Sequence, residues 1–367
     1  MACAPRPVVM AGRAGLSARL GLGRASPGPA GNGHLPAGRR VRAAAAAQQA
    51  EGGHFIHEIP NNGQWPTGVP PEMGGHTMPS GDEAPLSTST TVGTGVDMIY
   101  HYADEAAGVS VVTYADGAAA AAGLAEDIAS AANDAIASRG AFAIALSGGS
   151  AATAIASLKG AATDFSKWHV FFADERCVAL DASASNYKAC AESLLAGSGI
   201  PEAQVYAINP SLEPAAAAAD YEARMQAAAG TAFPTSGGGL PSLDYVLLGL
   251  GPDGHVASLF PMRAQTAAKS GLVLPVDDSP KPPSWRITLS FPVINAASRV
   301  AIWATGEGKA EVVQRALEVQ SLPGALPVQL VAPAAGEVRW FLDAASAADL
   351  SPDLWGDAKA YPRSTVA

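Results

Sequence analysis

A histidine and an aspartate share a glycine-rich loop in the second half of the chain. Residues 249–261 read Gly-Leu-Gly-Pro-Asp-Gly-His-Val-Ala-Ser-Leu-Phe-Pro and follow an apolar run at 245–248. Histidine titrates near neutral pH, so His255 could take a proton from water while the Asp253 carboxylate orients its ring. Ser258 lacks the Gly-x-Ser-x-Gly context of a nucleophile. We therefore expect water to be the attacking group, with His255 as its base.

The same loop also satisfies a dinucleotide-binding pattern. Gly249, Gly251 and Gly254 match Gly-x-Gly-x-x-Gly, but that fingerprint requires a long helix directly after the loop. Pro261 would stop such a helix after about two turns. We therefore interpret the match as coincidental and expect no dinucleotide or other cofactor.

A second loop has the composition of an anion site. It follows the apolar run 142–146, precedes a predicted helix, and consists of Ser147, Gly148, Gly149 and Ser150. Glycines let the backbone approach an anion, and the amides of a first helical turn point toward it. Lys309, one turn into a later helix, could reach the same phosphate, and Arg286 and Arg299 are further candidate cations. An ordinary tight turn is the alternative interpretation.

Three charged residues follow the apolar run 168–172. They are Asp174, Glu175 and Arg176, and such groups are costly to bury unless they are paired or functional. The guanidinium of Arg176 suits a carboxylate, a phosphate or an oxyanion. A salt-bridged surface turn explains the triplet equally well.

The elements that must position these loops alternate along the chain. Short apolar strands at 109–114, 142–146, 168–172, 245–248, 299–303 and 338–342 are separated by predicted helices, including 117–138, 186–195, 214–228 and 307–319. This alternation predicts an α/β fold, a mostly parallel, Rossmann-like sheet with helices on both faces in a single domain. Ligands bind beyond the carboxyl ends of such strands, where the polar loops fall.

Taken together, these motifs resemble the 6-phosphogluconolactonases, within the broader family that includes glucosamine-6-phosphate deaminase/isomerase. Residues 253–261 are the most specific match, and the order of the other motifs agrees, including Asn186 after the Asp-Glu-Arg triplet. The resemblance implies metal-free hydrolysis of 6-phosphoglucono-1,5-lactone in the oxidative pentose phosphate route. It implies that His255, Asp253 and Arg176 are catalytic. It also implies substrate binding by Asn186, the 147–150 loop and the cations named above.

The sequence departs from the family pattern at two places. Ala151 and Ala152 replace the usual Thr-Pro, so a hydroxyl for the phosphate must come from Ser150, Thr153 or neither. The histidine common between the Asp-Glu-Arg and Ser-Asn motifs is missing. Two alternative functions therefore stay open, a glucosamine-6-phosphate deaminase-type isomerase and a non-catalytic sugar-phosphate-binding protein.

The composition of the chain limits which partners and which cellular location we expect. The net charge of -10 is reached although residues 1–50 hold seven arginines and no acidic residue, so the acidic remainder argues against nucleic acid. The chain has no apolar run of about 20 residues, which argues against a membrane span. We expect a transit peptide at 1–45 for the chloroplast stroma, with the mitochondrion as alternative. A disordered, Gly/Pro-rich linker or extension at 46–105 and a catalytic domain at 106–360 follow, in a monomer or small homo-oligomer.

Overall fold

The structure, a computed structural model, describes residues 98–104 as backbone and residues 108–236 and 239–351 in full. All of them belong to one compact unit. The predicted transit segment 1–45, most of the predicted linker, and residues 352–360 of the predicted domain lie outside the described residues. Within the described ranges, no helix has the length and hydropathy of a membrane span.

The strands in the described part of the chain form two sheets. They are β1 (Met98–Asp104), β2 (Val109–Tyr114), β3 (Phe142–Leu146), β4 (Trp168–Phe172), β5 (Asp174–Arg176), β6 (Tyr245–Gly249), β7 (Val273–Val276), β8 (Arg286–Leu289), β9 (Arg299–Ala304) and β10 (Glu337–Asp343). The central sheet has the order β1-β2-β10-β9-β6-β3-β4. Its strands pair in parallel except for β1, which is antiparallel to β2. The predicted mostly parallel sheet is confirmed.

Helices cover both faces of the central sheet. They are α1 (Gly117–Arg139), α2 (Ser150–Ala154), α3 (Asn186–Cys190), α4 (Pro214–Ala228), α5 (Ala264–Ala267), α6 (Phe291–Ile294) and α7 (Ala310–Glu318). Strand β3 shows why helices must pack on both faces of the sheet, because all five of its residues are buried. Ala143 and Ala145 belong to the hydrophobic core that contains α4 and α7, while Phe142 and Ile144 belong to the core that contains α1 and α2. Alternating side chains thus fill opposite faces.

The ordered sheet begins earlier than the sequence indicated. Strand β1 lies inside the segment 46–105, which we predicted to be a linker. Its tyrosines and isoleucine have high strand propensity, and an antiparallel edge strand needs only one partner. Residues 98–104 therefore form an edge strand within the segment that we predicted to be a linker or extension.

The Asp-Glu-Arg triplet forms a strand of a second sheet rather than a surface turn. In this sheet, with order β5-β8-β7, Arg176 pairs with Arg286 and Asp174 pairs with Thr288, both in antiparallel register. This pairing brings the two arginines to the same place although 110 positions separate them.

The central sheet reverses its strand order between β3 and β6. These strands are parallel neighbours, but the chain leaves β3 toward β4 and leaves β6 toward β9 on the other side. The loops that follow β3 and β6 therefore diverge and open a crevice at their carboxyl ends. Such a reversal is the usual ligand position in open α/β sheets.

Candidate active site

A cavity of about 220 Å³ occupies this crevice. It is lined by the loops after β3 and β6 and by side chains from the second sheet and from the turn before α7. The structure thus brings most of the predicted site residues together, namely Ser147, Gly148, Gly149, Ser150, Arg176, His255, Arg286 and Lys309. Asp253 lies directly behind His255.

The imidazole of His255 is held on two sides. Its Nδ1 lies within hydrogen-bonding distance of Asp253 Oδ1, and its ring packs against Phe260 with 4.7 Å between the centroids. Gly251 lies against the ring, since a Cβ at this position would be 1.9 Å from Nδ1. When Nδ1 donates its proton to Asp253, Nε2 is the ring nitrogen that can accept one.

The surroundings of His255 favour its neutral form. Burial lowers the pKa of His255 below the ordinary histidine value, the Asp253 carboxylate opposes this shift, and the Lys281 ammonium adds to it. Burial alone would raise the pKa of Asp253, but its hydrogen bond to His255 and the charges of His255 and Lys281 hold that pKa below its usual value. The pair is therefore a neutral base beside an ionised carboxylate at neutral pH.

Lys281 is a site residue that the sequence analysis missed. Its Nζ lies 3.3 Å from Asp253 Oδ1 and 3.3 Å from His255 Nδ1. The sequence contained one indication of this role. Lys281 lies five residues before Arg286, in a Lys-Pro-Pro run that fits neither a helix nor a strand pattern.

The loop after β3 rests on a buried asparagine. A Cβ on Gly148 would lie 1.8 Å from Asn186 Oδ1, so only glycine allows this approach. Asn186 Nδ2 in turn donates to Asp174 O at 2.8 Å and to Asp174 Oδ1 at 3.1 Å. Asn186 therefore supports the loop from behind. Its side chain is buried, and its predicted contact with substrate stays a prediction.

Two side chains that line the cavity have polar atoms without a hydrogen-bond partner. Ser147 Oγ and Arg176 Nε are buried and have no hydrogen-bond partner among the described residues. Arg176 Nη1 donates to Ala184 O at 2.6 Å, which fixes the guanidinium. The Ala151 and Ala152 side chains are buried, so the hydroxyl at the cavity's edge is that of Ser150, while Thr153 lies outside the lining.

Arg286 and Ser258 surround a buried carboxylate. Ser258 Oγ donates to Asp174 Oδ2 at 2.6 Å, and Arg286 Nη1 lies 3.9 Å from the same oxygen. Burial lowers the pKa of Arg286, and Asp174 opposes this shift. Because the Ser258 hydroxyl is directed to Asp174 rather than to His255, its hydrogen bond gives it a structural role.

Lys309 reaches the cavity from the turn before α7. Its Nζ donates to Leu250 O at 2.6 Å, which ties the start of α7 to the loop after β6. Burial lowers the pKa of Lys309, and the Lys281 ammonium adds to this shift. The cavity is therefore lined by three cationic side chains, from Arg176, Arg286 and Lys309, an arrangement suited to an anionic ligand.

Arg299 lies at the amino ends of the central strands, whereas the cavity lies beyond their carboxyl ends. It is the first residue of β9. Its Nη1 pairs with Asp127 Oδ1 at 2.9 Å and its Nε pairs with Glu337. Its predicted phosphate contact is therefore wrong, because the length of β9 separates Arg299 from the carboxyl ends of the strands.

No group of three or more His, Cys, Asp or Glu among the described residues is arranged to hold a metal ion. Cys177 and Cys190 are both free thiols, and Cys190 is buried. Glu175, which the sequence left without a role, accepts from the backbone N–H groups of Arg176, Asn186 and Tyr187. It thereby joins β5 to the start of α3.

Comparison with known proteins identifies the relatives of this chain. Residues 115–340 match the family model described as glucosamine-6-phosphate isomerases/6-phosphogluconolactonase. A protein of Oryza sativa subsp. indica named probable 6-phosphogluconolactonase 3, chloroplastic, is 43% identical over 225 residues, which cover 59% of this chain and 69% of that protein. The 6-phosphogluconolactonase of Rattus norvegicus is 43% identical over 219 residues, which cover 58% and 82%.

Solved structures agree with these relatives. The 6-phosphogluconolactonase of Trypanosoma brucei has a TM-score of 0.56 and 28% identity, with 66% of this chain and 98% of that chain covered. The enzyme of Thermotoga maritima has a TM-score of 0.55 and 26% identity, with 64% and 99% covered. The chain belongs to the glucosamine-6-phosphate isomerase/6-phosphogluconolactonase family.

Proposed function

We propose that the chain hydrolyses 6-phospho-D-glucono-1,5-lactone to 6-phospho-D-gluconate in the oxidative pentose phosphate pathway. The observation that carries this proposal is the neutral, carboxylate-bound His255 in one cavity with three cations. Its relatives named 6-phosphogluconolactonase support the choice of substrate. A lactone is an activated ester, so we propose that a base and a positioned water suffice without a metal or other cofactor.

In the proposed first step, His255 Nε2 takes a proton from a water molecule as its oxygen attacks the lactone carbonyl carbon. The electron pair of the C=O bond moves to the carbonyl oxygen, and the guanidinium of Arg176 stabilises the resulting oxyanion. Asp253 stabilises the imidazolium that forms, as its hydrogen bond to Nδ1 allows. In the second step the bond from C1 to the ring oxygen breaks, and the imidazolium returns its proton to that oxygen.

We propose that the loop after β3 binds the 6-phosphate together with two of the cations that line the cavity. The Ser147 hydroxyl, the backbone of residues 148–150, Lys309 and Arg286 are the groups offered there. The unsatisfied Ser147 Oγ supports this assignment, because a buried hydroxyl without a partner is costly unless a ligand provides one. Holding the phosphate orients the lactone toward His255.

No observation on the described residues favours either of the two alternative functions. The deaminase branch typically has Asn-Glu-Pro where this chain has Ser-Leu-Phe-Pro at 258–261, and the Ser258 hydroxyl is directed to Asp174. A non-catalytic binding protein would not need a histidine oriented by a carboxylate. We therefore retain the lactonase as the single proposed function.

We also propose that the protein acts in the chloroplast stroma as a monomer or small homo-oligomer. The Arg-rich, acid-free residues 1–45 support import, as do relatives named chloroplastic in rice and in Arabidopsis thaliana. Import of the full chain into isolated chloroplasts, compared with a chain that lacks residues 1–45, tests the location. Import of the shortened chain would contradict it.

Proton release from freshly prepared 6-phosphogluconolactone tests the activity, with the spontaneous rate subtracted. We expect turnover by the full chain and a loss of about 100-fold or more in His255→Asn, the usual scale for removal of a general base. Binding of 6-phosphogluconate, measured by calorimetry, should persist in His255→Asn. Equal turnover in the two proteins would contradict the mechanism, and tight binding without turnover in the wild type would favour the binding protein.

A further inference from the structure

Lys281 lies beside the proposed base but outside the cavity lining. Its Nζ is 3.3 Å from Asp253 Oδ1 and 3.3 Å from His255 Nδ1. Three other cationic residues, Arg176, Arg286 and Lys309, line the cavity, whereas Lys281 does not. Its ammonium therefore contacts the His255–Asp253 pair itself.

The backbone of Lys281 is held by several hydrogen bonds. Its carbonyl accepts from Ser279 Oγ at 2.8 Å and from Arg286 Nη2 at 2.8 Å, and its N–H donates to Ser279 Oγ at 3.3 Å. The side chain starts from a fixed point, and 39% of it is exposed. Its removal should therefore leave the fold intact.

We infer that Lys281 is a positioning residue that holds Asp253 on Nδ1 of His255 and so keeps Nε2 free to accept the proton of water. This inference rests on the proposed function, because it takes His255 as the base. Asp253 Oδ1 is shared between the ring nitrogen and the ammonium. An ionised carboxylate only accepts, so its hydrogen bond places a proton on Nδ1. The ammonium has only donors, so it binds the carboxylate and not the protonated Nδ1 beside it.

Lys281 also acts on the charge of the ring. Asp253 contacts the imidazole, and Asp174 and Lys281 influence its protonation, the two carboxylates favouring imidazolium and Lys281 opposing it. Arg176, Arg286 and Lys309 line the same cavity. Removal of the Lys281 charge should therefore raise the pKa of His255, and the ring would become protonated at a higher pH.

The pH profile of kcat/KM separates this role from substrate binding. The acid limb is the part of this profile where kcat/KM decreases as the pH falls. In Lys281→Met we expect the acid limb to move to higher pH by about half to one unit. Lys281→Arg keeps the charge and should bring the limb back toward its wild-type position. Lys309→Met is the matched control, because it removes a cavity cation whose ammonium donates to Leu250 O and which is not among the charges that shift the pKa of His255. It should raise KM without moving the limb.

A second measurement tests the inference without substrate. The ring proton resonance of His255 in the full chain, identified by its absence in His255→Asn, can be titrated by NMR. We expect a higher pKa in Lys281→Met than in the wild type. An unchanged pKa together with an unmoved acid limb would overturn the inference, and a raised KM alone would make Lys281 a substrate ligand. Absence of lactone turnover in the wild type would overturn the proposed function, while the NMR titration would still decide whether Lys281 lowers the pKa of His255.

Discussion

Gly251 and His255 are in such close contact that a Cβ on Gly251 would lie 1.9 Å from His255 Nδ1. The backbone adds to this contact, because Gly251 N donates to His255 O at 2.9 Å. Gly251, which matches the dinucleotide-binding pattern, must therefore be a glycine because the imidazole of His255 occupies the space of a Cβ.

Gly251→Ala should move the ring away from Asp253. We expect kcat to fall by about 100-fold, the usual effect of misplacing a reacting group by about 1 Å, with a smaller effect on KM. The matched control is Gly249→Ala, whose methyl would lie at an ordinary 3.8 Å from the Ala151 Cβ. Steady-state kinetics of the two variants check this, and similar losses in both would contradict it.

The low pKa of His255 predicts the shape of the wild-type pH profile. Burial disfavours imidazolium, so the pH at which kcat/KM falls to half on the acid side should lie below the ordinary histidine pKa. Asp253→Asn removes a carboxylate that favours imidazolium. Its acid limb should therefore move to still lower pH, while kcat falls by about 100-fold or more. A limb that moves to higher pH in Asp253→Asn would contradict this assignment.

Ser258 should matter for stability more than for turnover. Ser258→Ala removes the donor to Asp174 Oδ2 and should lower the free energy of unfolding by about 1 to 3 kcal/mol, as expected for a buried carboxylate that loses a partner. Urea denaturation measures this loss. Turnover should decrease less than tenfold, whereas a loss equal to that of His255→Asn in a folded protein would make Ser258 the nucleophile.

Arg299 and Arg286 form a matched pair of arginines, because only Arg286 lines the cavity. Arg299→Met should lower the unfolding free energy by about 1 to 3 kcal/mol, because the buried Asp127 loses an ion-pair partner, and KM should not change. Arg286→Met should raise KM for the phosphorylated lactone. Thermal denaturation and kinetics of both variants check this, and a raised KM in Arg299→Met would restore it to the phosphate site.

Much of the fold could be predicted from local patterns. Strands β3 and β4 have the predicted bounds, because runs such as Phe-Ala-Ile-Ala-Leu are apolar at every position and only a sheet covered on both faces buries them all. Strand β1 was missed because an edge strand beside a Gly/Pro-rich segment carries a weak pattern. The second sheet was missed for a similar reason, since strands of three or four residues show little periodicity.

The sequence by itself determined which chemistry is available. It placed glycine loops, a histidine with its aspartate and several cations at the ends of predicted strands. Only the tertiary structure decided which of these groups meet. Pairing of β5 with β8 brought Arg286 beside Arg176, and the strand direction put Arg299 at the opposite edge. The loop before β8 carried Lys281 to His255 across 26 positions. Such contacts depend on strand order and register, which local residue patterns do not contain.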